Sequence, residues 1–161
     1  MLHRREIWRK YEWCSKCRMQ LNVRKCKVMH IGRGNSLNEY QINSNKLQVV
    51  EQEKDLGVVI TNNMKPTAQI DIQVTKANRL LGFIRKTITN HNSDIILPLY
   101  KAIVRPHLEY CVQAWSPFLL GDIEKVEKVQ KRALKMCRNL RGNTYIDRLV
   151  EVNLFSLEKR R

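Results

Sequence analysis

The sequence predicts an α+β chain, with a small β element first and a mostly helical bundle after it. Three observations carry this expectation. Short β-branched and apolar runs, punctuated by Asn- and Gly-containing turns, occupy the first part of the chain. Beyond Pro66 an apolar residue recurs every three or four positions, the period of a helix with one buried face. The pattern changes only once, at that proline, so the expected units are residues 1–65 and 66–161.

In chain order, Trp8–Gln20 reads as a helix and Cys26–Ile31 as a strand closed by the turn Gly32-Arg33-Gly34-Asn35. Tyr40–Ile42 and Leu47–Val49 flank Asn43-Ser44-Asn45, a hairpin signal because Asn tolerates positive φ. Leu56–Ile60 follows as a β-branched strand. Ile70, Val74, Ala77, Leu81, Ile84 and Ile88 then form one apolar seam of a long helix. A second helix carries Ile95, Ile96, Leu99, Tyr100, Ile103 and Val104 and is expected to end before Pro106. Asp122 is placed to N-cap a third, with Val126, Val129, Ala133, Met136 and Leu140 inward and Gly142 as the stop. Tyr145–Val152 reads as a last short helix.

Thirty Lys and Arg against fifteen Asp and Glu give a formal net charge of +15 in 161 residues. Such a surplus favours a polyanionic partner, because phosphate contacts release counterions and supply sequence-independent affinity. The mean hydropathy is −0.46, and no apolar run is long enough to span a membrane. Five cysteines, an odd number at irregular spacing, suit a reduced intracellular chain. Of these, Cys111 and Cys137 read as small buried hydrophobes.

The third helix concentrates the charge. Lys125, Lys128, Lys131, Arg132, Lys135, Arg138 and Arg141 centre opposite its apolar face, with Glu124 and Glu127 positioned to pair at i,i+4 with Lys128 and Lys131. Lys76, Arg79, Arg85, Lys86, Lys101 and Arg105 add cations from the preceding helices. A rigid rod bearing long cationic side chains suits a phosphate backbone; a merely solvated helix face is the bland alternative. Tyr100, Tyr110, Trp115 and Tyr145 lie among these cations, more as core residues than as base-stacking platforms.

Cys14-x2-Cys17-x8-Cys26-x3-His30 has the ligand types of a Cys3His zinc site. Against it, Cys14 and Cys17 fall in a helical pattern without turn residues. Cys26 and His30 would also lie about 13 Å apart along a strand.

Four strings in fixed order carry a resemblance: LNVRKCKVMHIG (Leu21–Gly32), KDLGVVI (Lys54–Ile60), LYKAIVRPHLEYCVQAWSP (Leu99–Pro117) and YIDRLVEVNLFSLEKRR (Tyr145–Arg161). Shorter matches such as Lys76-Ala77-Asn78 and Glu127-Lys128-Val129-Gln130 fall between them, while Leu134 stands where threonine is common. Together they resemble the palm-end and thumb region of a reverse transcriptase from a LINE-type (jockey-like) non-LTR retrotransposon. The resemblance implies that Asn22 and Lys25 form the Asn-x-x-Lys palm-end pattern, with Lys25 near the incoming nucleotide's phosphates. It implies a primer-grip-like segment at Lys54, Leu56 and Gly57, with Leu56 and Val58 packing down. It makes the part after Pro66 a thumb-like lobe that holds a template–primer duplex, RNA–DNA hybrid included, without sequence preference. The nucleic-acid-binding set is then Lys76, Arg79, Arg85, Lys101, Arg105, Lys128, Lys131, Arg132, Lys135 and Arg138.

The resembled enzymes polymerise with Mg²⁺ held by clustered carboxylates. The five aspartates here, Asp55, Asp71, Asp94, Asp122 and Asp147, include no adjacent pair. The expectation is therefore a catalytically incomplete chain with no cofactor of its own, cut at both ends from a longer reading frame. Two rival readings remain: a host-adopted protein-interaction or structural module, and a small zinc-dependent nucleic-acid binder.

Overall fold

The apolar seam from Ile70 to Ile88 forms the longest helix of the computed structural model, α1 (Thr67–Thr87), with Ile70, Ala77, Leu81 and Ile84 buried and Val74 and Ile88 packed against them. The structure describes residues 12–161 except Ser15, Gln20 and Asn43. The expected helix Trp8–Gln20 lies partly outside these residues; within them, 12–14 and 16 are helical. The architecture is α+β, with strands first and helices after.

The chain divides into two compact units, Met1–Gln52 and Glu53–Arg161. This division precedes the expected one at Pro66, because the hairpin after Gln52 belongs with the helices. Val58 of that hairpin sits in their core, and the backbone N–H of Val59 donates to Gln69 Oε1 of α1 at 3.0 Å.

The first unit holds two small sheets. Strand β1 (Lys27–Val28) pairs in parallel with β4 (Gln48–Val49), and β2 (Gln41–Ile42) pairs antiparallel with β3 (Asn45–Lys46). A hairpin thus forms with Ser44 at φ +63 in its turn, but its second arm is Asn45–Lys46 and not the expected Leu47–Val49, of which Gln48–Val49 pairs with β1 instead. The strand expected over Cys26–Ile31 shrinks to two residues. A 3-10 turn, Val23–Lys25, precedes it, and Leu47 is buried between the strands β3 and β4.

At the start of the second unit, β5 (Gln52–Asp55, its first residue the last of unit one) and β6 (Val58–Thr61) are joined by Leu56 and Gly57, both at positive φ (+45 and +89). Two consecutive positive φ values make a type I′ turn, whose twist matches that of paired strands. Leu56 is therefore a turn residue, not the start of a strand, and it is 84% exposed instead of packed down. Gly57 is needed for its φ; a Cβ there would also lie 3.4 Å from the Tyr110 ring.

The second helical stretch does not stop at Pro106. Helix α2 (Ser93–Leu99) runs through a π-helical segment (Tyr100–Val104) into α3 (Arg105–Glu109). Proline cannot donate to the carbonyl four residues back and its ring crowds that carbonyl. Widening the turn by one residue accommodates it, and the Arg105 N–H bonds to Tyr100 O. Helix α4 (Val112–Trp115) follows a left-handed Cys111 (φ +53). Cys111 is exposed there, contrary to expectation, whereas Cys137 is buried.

Helix α5 (Leu120–Met136) buries Val126, Val129 and Ala133 as expected, together with Glu127, Gln130 and Leu134. Asp122 is inside this helix and is not its N-cap; Leu119 holds that position. The helix ends at Met136, before Gly142, and a 3-10 turn (Arg138–Leu140) carries Leu140 into the core. Helix α6 (Tyr145–Glu151) starts from a Thr144–Asp147 capping box. The segment after it returns to the bundle, with Leu157 fully buried and Arg161 against Trp115.

Candidate nucleic-acid interface

Two hydrogen bonds on one flank of α1 and α5 fix how the cations are arrayed. Lys125 Nζ donates to Asp71 Oδ1 at 2.8 Å, and Arg132 Nη1 donates to Asn78 Oδ1 at 2.8 Å. Both pairs share a sequence offset of 54. The two helices therefore run parallel and in register, one heptad separating the two contacts. Thr67 Oγ1, donating to Asp122 Oδ2 at 2.7 Å, extends the same flank toward the helix N-termini.

Helical phase then places the rest. At 100° per residue, Lys125, Lys128, Lys131, Arg132 and Lys135 fall within an arc of about 120° on α5. That arc is centred opposite the residues buried in the core. On α1, Arg79 and Lys86 likewise lie away from its buried face, and Arg85 leans toward α5. The outer surface of this helix pair thus carries two cationic rows: Arg79 and Lys86 on one helix, Lys128 and Lys135 on the other. Within each row the two residues are about 10.5 Å apart along the axis, and helices in contact lie about 8–10 Å apart. Lys128 pairs with Glu124 at 3.2 Å, as the spacing anticipates, and both remain exposed. Lys76, Arg79, Arg85, Lys86, Lys135 and Arg138 are exposed.

Three expected members are placed differently. Lys101 and Arg105 lie on the helical stretch that packs over the buried side of α1 and α5, and Arg105 pairs with its own Glu109 at 3.5 Å. They do not join the two rows. Lys131 is on the flank of α5, its Nζ 5.2 Å from the Tyr145 ring centroid. The anticipated Glu127–Lys131 pair is replaced, because Glu127 turns inward to accept from the Tyr145 hydroxyl and from Leu157 N at 3.0 Å.

Around Glu127 lies a polar network that sequence reasoning missed. Tyr100 Oη donates to Gln130 Oε1 at 2.8 Å, while Gln130 Nε2 reaches Tyr145 Oη at 3.1 Å and Phe155 O at 3.0 Å. Burial pushes both tyrosine hydroxyls well above their ordinary range, so each stays protonated and able to donate. The only sequence signal was a Glu and a Gln three apart on the apolar side of α5. The aromatics considered for stacking are accounted for: Tyr100 and Trp115 are buried, Tyr145 is under Lys131, and Tyr110 donates to Leu56 O at 3.0 Å.

The ion triad at the helix N-termini is also defined. Lys125 Nζ lies 3.0 Å from Asp122 Oδ1 while it bonds Asp71. Burial works to raise the Asp122 pKa, but hydrogen bonds from Thr67 and Lys125 outweigh it and hold the carboxyl below its ordinary value. The bonds to Asp71 and Asp122 in turn hold Lys125 above the usual lysine value. These two aspartates meet only across a lysine.

Lys54, Leu56 and Gly57, which the resemblance implied for a primer grip, sit on the β5–β6 hairpin, Lys54 exposed in β5 and the other two in its turn. An open cleft of about 420 Å³ lies between this hairpin and the loop around α4, lined by Leu56, Val58, Ile60, Met64, Trp115 and Phe118 among others. In the first unit, Asn22 and Lys25 are exposed, and Asn22 O accepts from Lys25 N at 2.9 Å. Cys26 Sγ donates to Asn22 O at 3.4 Å and His30 Nδ1 pairs with Asn35 Oδ1 at 3.2 Å. Among the described residues no group of three or more His, Cys, Asp or Glu is arranged to hold a metal ion, Cys14, Cys17, Cys26 and His30 included. No described helix is long and apolar enough to cross a membrane.

No protein-family model, no curated protein and no solved structure matches the chain.

Proposed function

We propose that this chain is the palm-end and thumb-like part of a LINE-type, jockey-like reverse transcriptase, and that on its own it binds duplex nucleic acid without catalysing polymerisation. The observation that carries the reading is the pair of cationic rows on the outer face of α1 and α5. Two parallel cationic rows on a stiff two-helix layer suit the phosphates of a duplex backbone. Phe83, largely exposed, falls between Arg79 and Lys86 at i, i+4, i+7 spacing, so the face also offers one ring to an unpaired base, and the single-strand arm of the titration reads its contribution. No carboxylate or amide array on it reads base edges, so recognition is by backbone and charge. The motif resemblance supplies the family; the cationic face supplies the capacity.

The test is a salt titration of binding to an RNA–DNA hybrid, set beside duplex DNA and single strands. Four phosphate contacts predict a log–log slope of about −3.6 on B-form duplex. A Lys128/Lys131/Lys135/Arg138→Ala variant flattens the slope and weakens binding, whereas Lys101→Ala leaves both near the parent's. Equal affinity of the four-site variant and the parent removes the role of α5. Nucleotide incorporation by the purified chain with Mg²⁺ removes the non-catalytic reading.

The cleft beside the hairpin favours a second reading, a protein-interaction module. Leu56, Met64 and Phe118 line it and are all largely exposed, and clustered apolar side chains of this kind mark contact surfaces. Salt-insensitive capture of a protein partner, lost on Leu56→Asn and Phe118→Ser, would select it.

A further inference from the structure

We propose that Thr144 is a phosphoacceptor for an arginine-directed serine/threonine kinase, and that phosphorylation there weakens the cationic face; the second half rests on the duplex-binding reading. Thr144 follows Arg141 by three residues and Arg138 by six. Both arginines are exposed, and among the described residues neither pairs with a carboxylate. Kinases of this class seat such guanidinium groups on their own carboxylates, a bidentate fit that needs free arginines. From Arg141 onward the segment lies outside any helix (Arg141 φ −68 and ψ 145, Gly142 φ +89, Thr144 φ −65 and ψ 167), whereas Arg138 starts the 3-10 turn that buries Leu140 and engages a kinase only as that turn opens. All four residues from Arg141 to Thr144 are exposed. Ser36 follows Arg33 at the same spacing but has His30, not arginine, six residues before it. It is the internal comparison.

Chemically, the Thr144 hydroxyl oxygen attacks the terminal phosphorus of ATP. The bond to the bridging oxygen breaks, the hydroxyl proton goes to the kinase's base, and ADP leaves. The hydroxyl is held only by the local cap, donating to Asp147 Oδ2 at 2.6 Å and accepting from Asp147 N at 3.3 Å. A phosphoryl group carries nearly two negative charges at neutral pH, so it repels the Asp147 carboxylate and opens this reciprocal cap. The new charge also lies next to Tyr145, the ring that supports Lys131, and close in sequence to Arg138 and Arg141 beyond the end of α5. Of these, Lys131 and Arg138, two of the four cations removed in the α5 variant, turn from an external phosphate to an internal one.

The experiment treats the full chain with the catalytic domain of an arginine-directed kinase and ATP, then maps phosphate by mass spectrometry. The parent is expected to carry phosphothreonine at 144 and Thr144→Ser phosphoserine there. Thr144→Ala carries nothing at 144, and Arg138/Arg141→Ala loses the modification. Phosphorylated parent then binds an RNA–DNA hybrid about tenfold more weakly at about 0.1 M salt, with phosphatase restoring it. Phosphate at Ser36 with Thr144 unmodified overturns the assignment. Modification of Thr144 with unchanged affinity overturns the switch. Failure of the unmodified chain to bind the hybrid removes the duplex-binding reading and the switch with it, while the mass measurement still decides Thr144 as acceptor.

Discussion

Arg132 donates to Asn78 one heptad beyond the point where Lys125 donates to Asp71, so the most cationic helix of the chain is zipped to its neighbour through its own cations. Part of the positive charge on α5 therefore holds the helix pair in register and leaves Lys128 and Lys135 to face outward. Asn78→Ala removes one such contact at an exposed position. We expect a loss of about 0.5–1 kcal/mol in chemical unfolding, with the nucleic-acid salt slope unchanged. A fall in the slope would mean that Arg132 needs Asn78 to reach a phosphate.

The buried network around Gln130 is expected to matter more. Gln130 is fully buried and satisfies a tyrosine hydroxyl on one side and a backbone carbonyl on the other. Gln130→Leu keeps the volume but strands the buried Tyr100 hydroxyl and takes the donor from the part-buried Phe155 carbonyl. Each buried orphan costs about 1–3 kcal/mol, so the variant should lose at least twice what Asn78→Ala loses. Tyr145→Phe tests the same network from its rim. Because Glu127 and Lys131 both lean on Tyr145, that change should loosen the segment around Leu157, read as faster amide exchange there.

Asp122 sets the acid limb of stability. Its pKa is depressed in the folded state, so its contribution is complete above the unfolded value of about 3.9 and is lost as pH falls through the folded pKa. Lys125 is the mirror case: its raised pKa keeps its contribution complete below about 10.4 and removes it as pH rises through the folded value. Stability from this triad should thus be flat between about pH 6 and 9 and fall on both sides. Asp122→Asn, compared with the parent by denaturant midpoint across pH, should be less stable at neutral pH and show a shallower acid limb. An unchanged limb would show that other carboxylates dominate it.

What the sequence disclosed was what repeats along it. The seam from Ile70 to Ile88, and the inward stripe and outward cations of α5 as far as Met136, follow from a 3.6-residue period and are found where that period puts them, whereas Arg138, Leu140 and Arg141 lie beyond the end of the helix. Single-residue geometry was less legible. Asp122 resembles an N-cap, yet Thr67 and Lys125, distant in sequence or a turn away, draw it into the helix flank. Pro106 reads as a stop because local rules do not anticipate a π segment stabilised by the burial of Tyr100 and Val104. Glu127 reads as a surface partner for Lys131; only the returning segment at Leu157 reveals what its second oxygen accepts. Lys101 and Arg105 look like members of the cationic face because the helix crossing that separates them is tertiary.

Thiol labelling offers a direct check of the core. Burial pushes the Cys137 thiol up to about 11, and the side chain is 1% exposed. Cys111 and Cys17 are exposed. A maleimide at pH 7.5 should modify Cys111 and Cys17 rapidly in the native chain and reach Cys137 only on unfolding. Labelling of Cys137 at the rate of Cys111 would mean that the end of α5 opens easily.

The β5–β6 turn carries the sharpest prediction of stabilisation. A leucine at φ +45 is strained, because its Cβ crowds the backbone in the left-handed region, and here it also exposes a large apolar side chain to water. Asn at the same place tolerates that conformation, and Asn-Gly is the preferred pair for a type I′ turn. Leu56→Asn should therefore stabilise the chain by about 0.5–1 kcal/mol. Gly57→Ala should destabilise it by about 1–2 kcal/mol, since φ +89 is costly for any residue with a Cβ. Opposite shifts in unfolding midpoint from two adjacent turn residues would establish the I′ geometry. Destabilisation by Leu56→Asn would show instead that the leucine side chain is covered in solution, which is the outcome the protein-interaction reading of the neighbouring cleft requires.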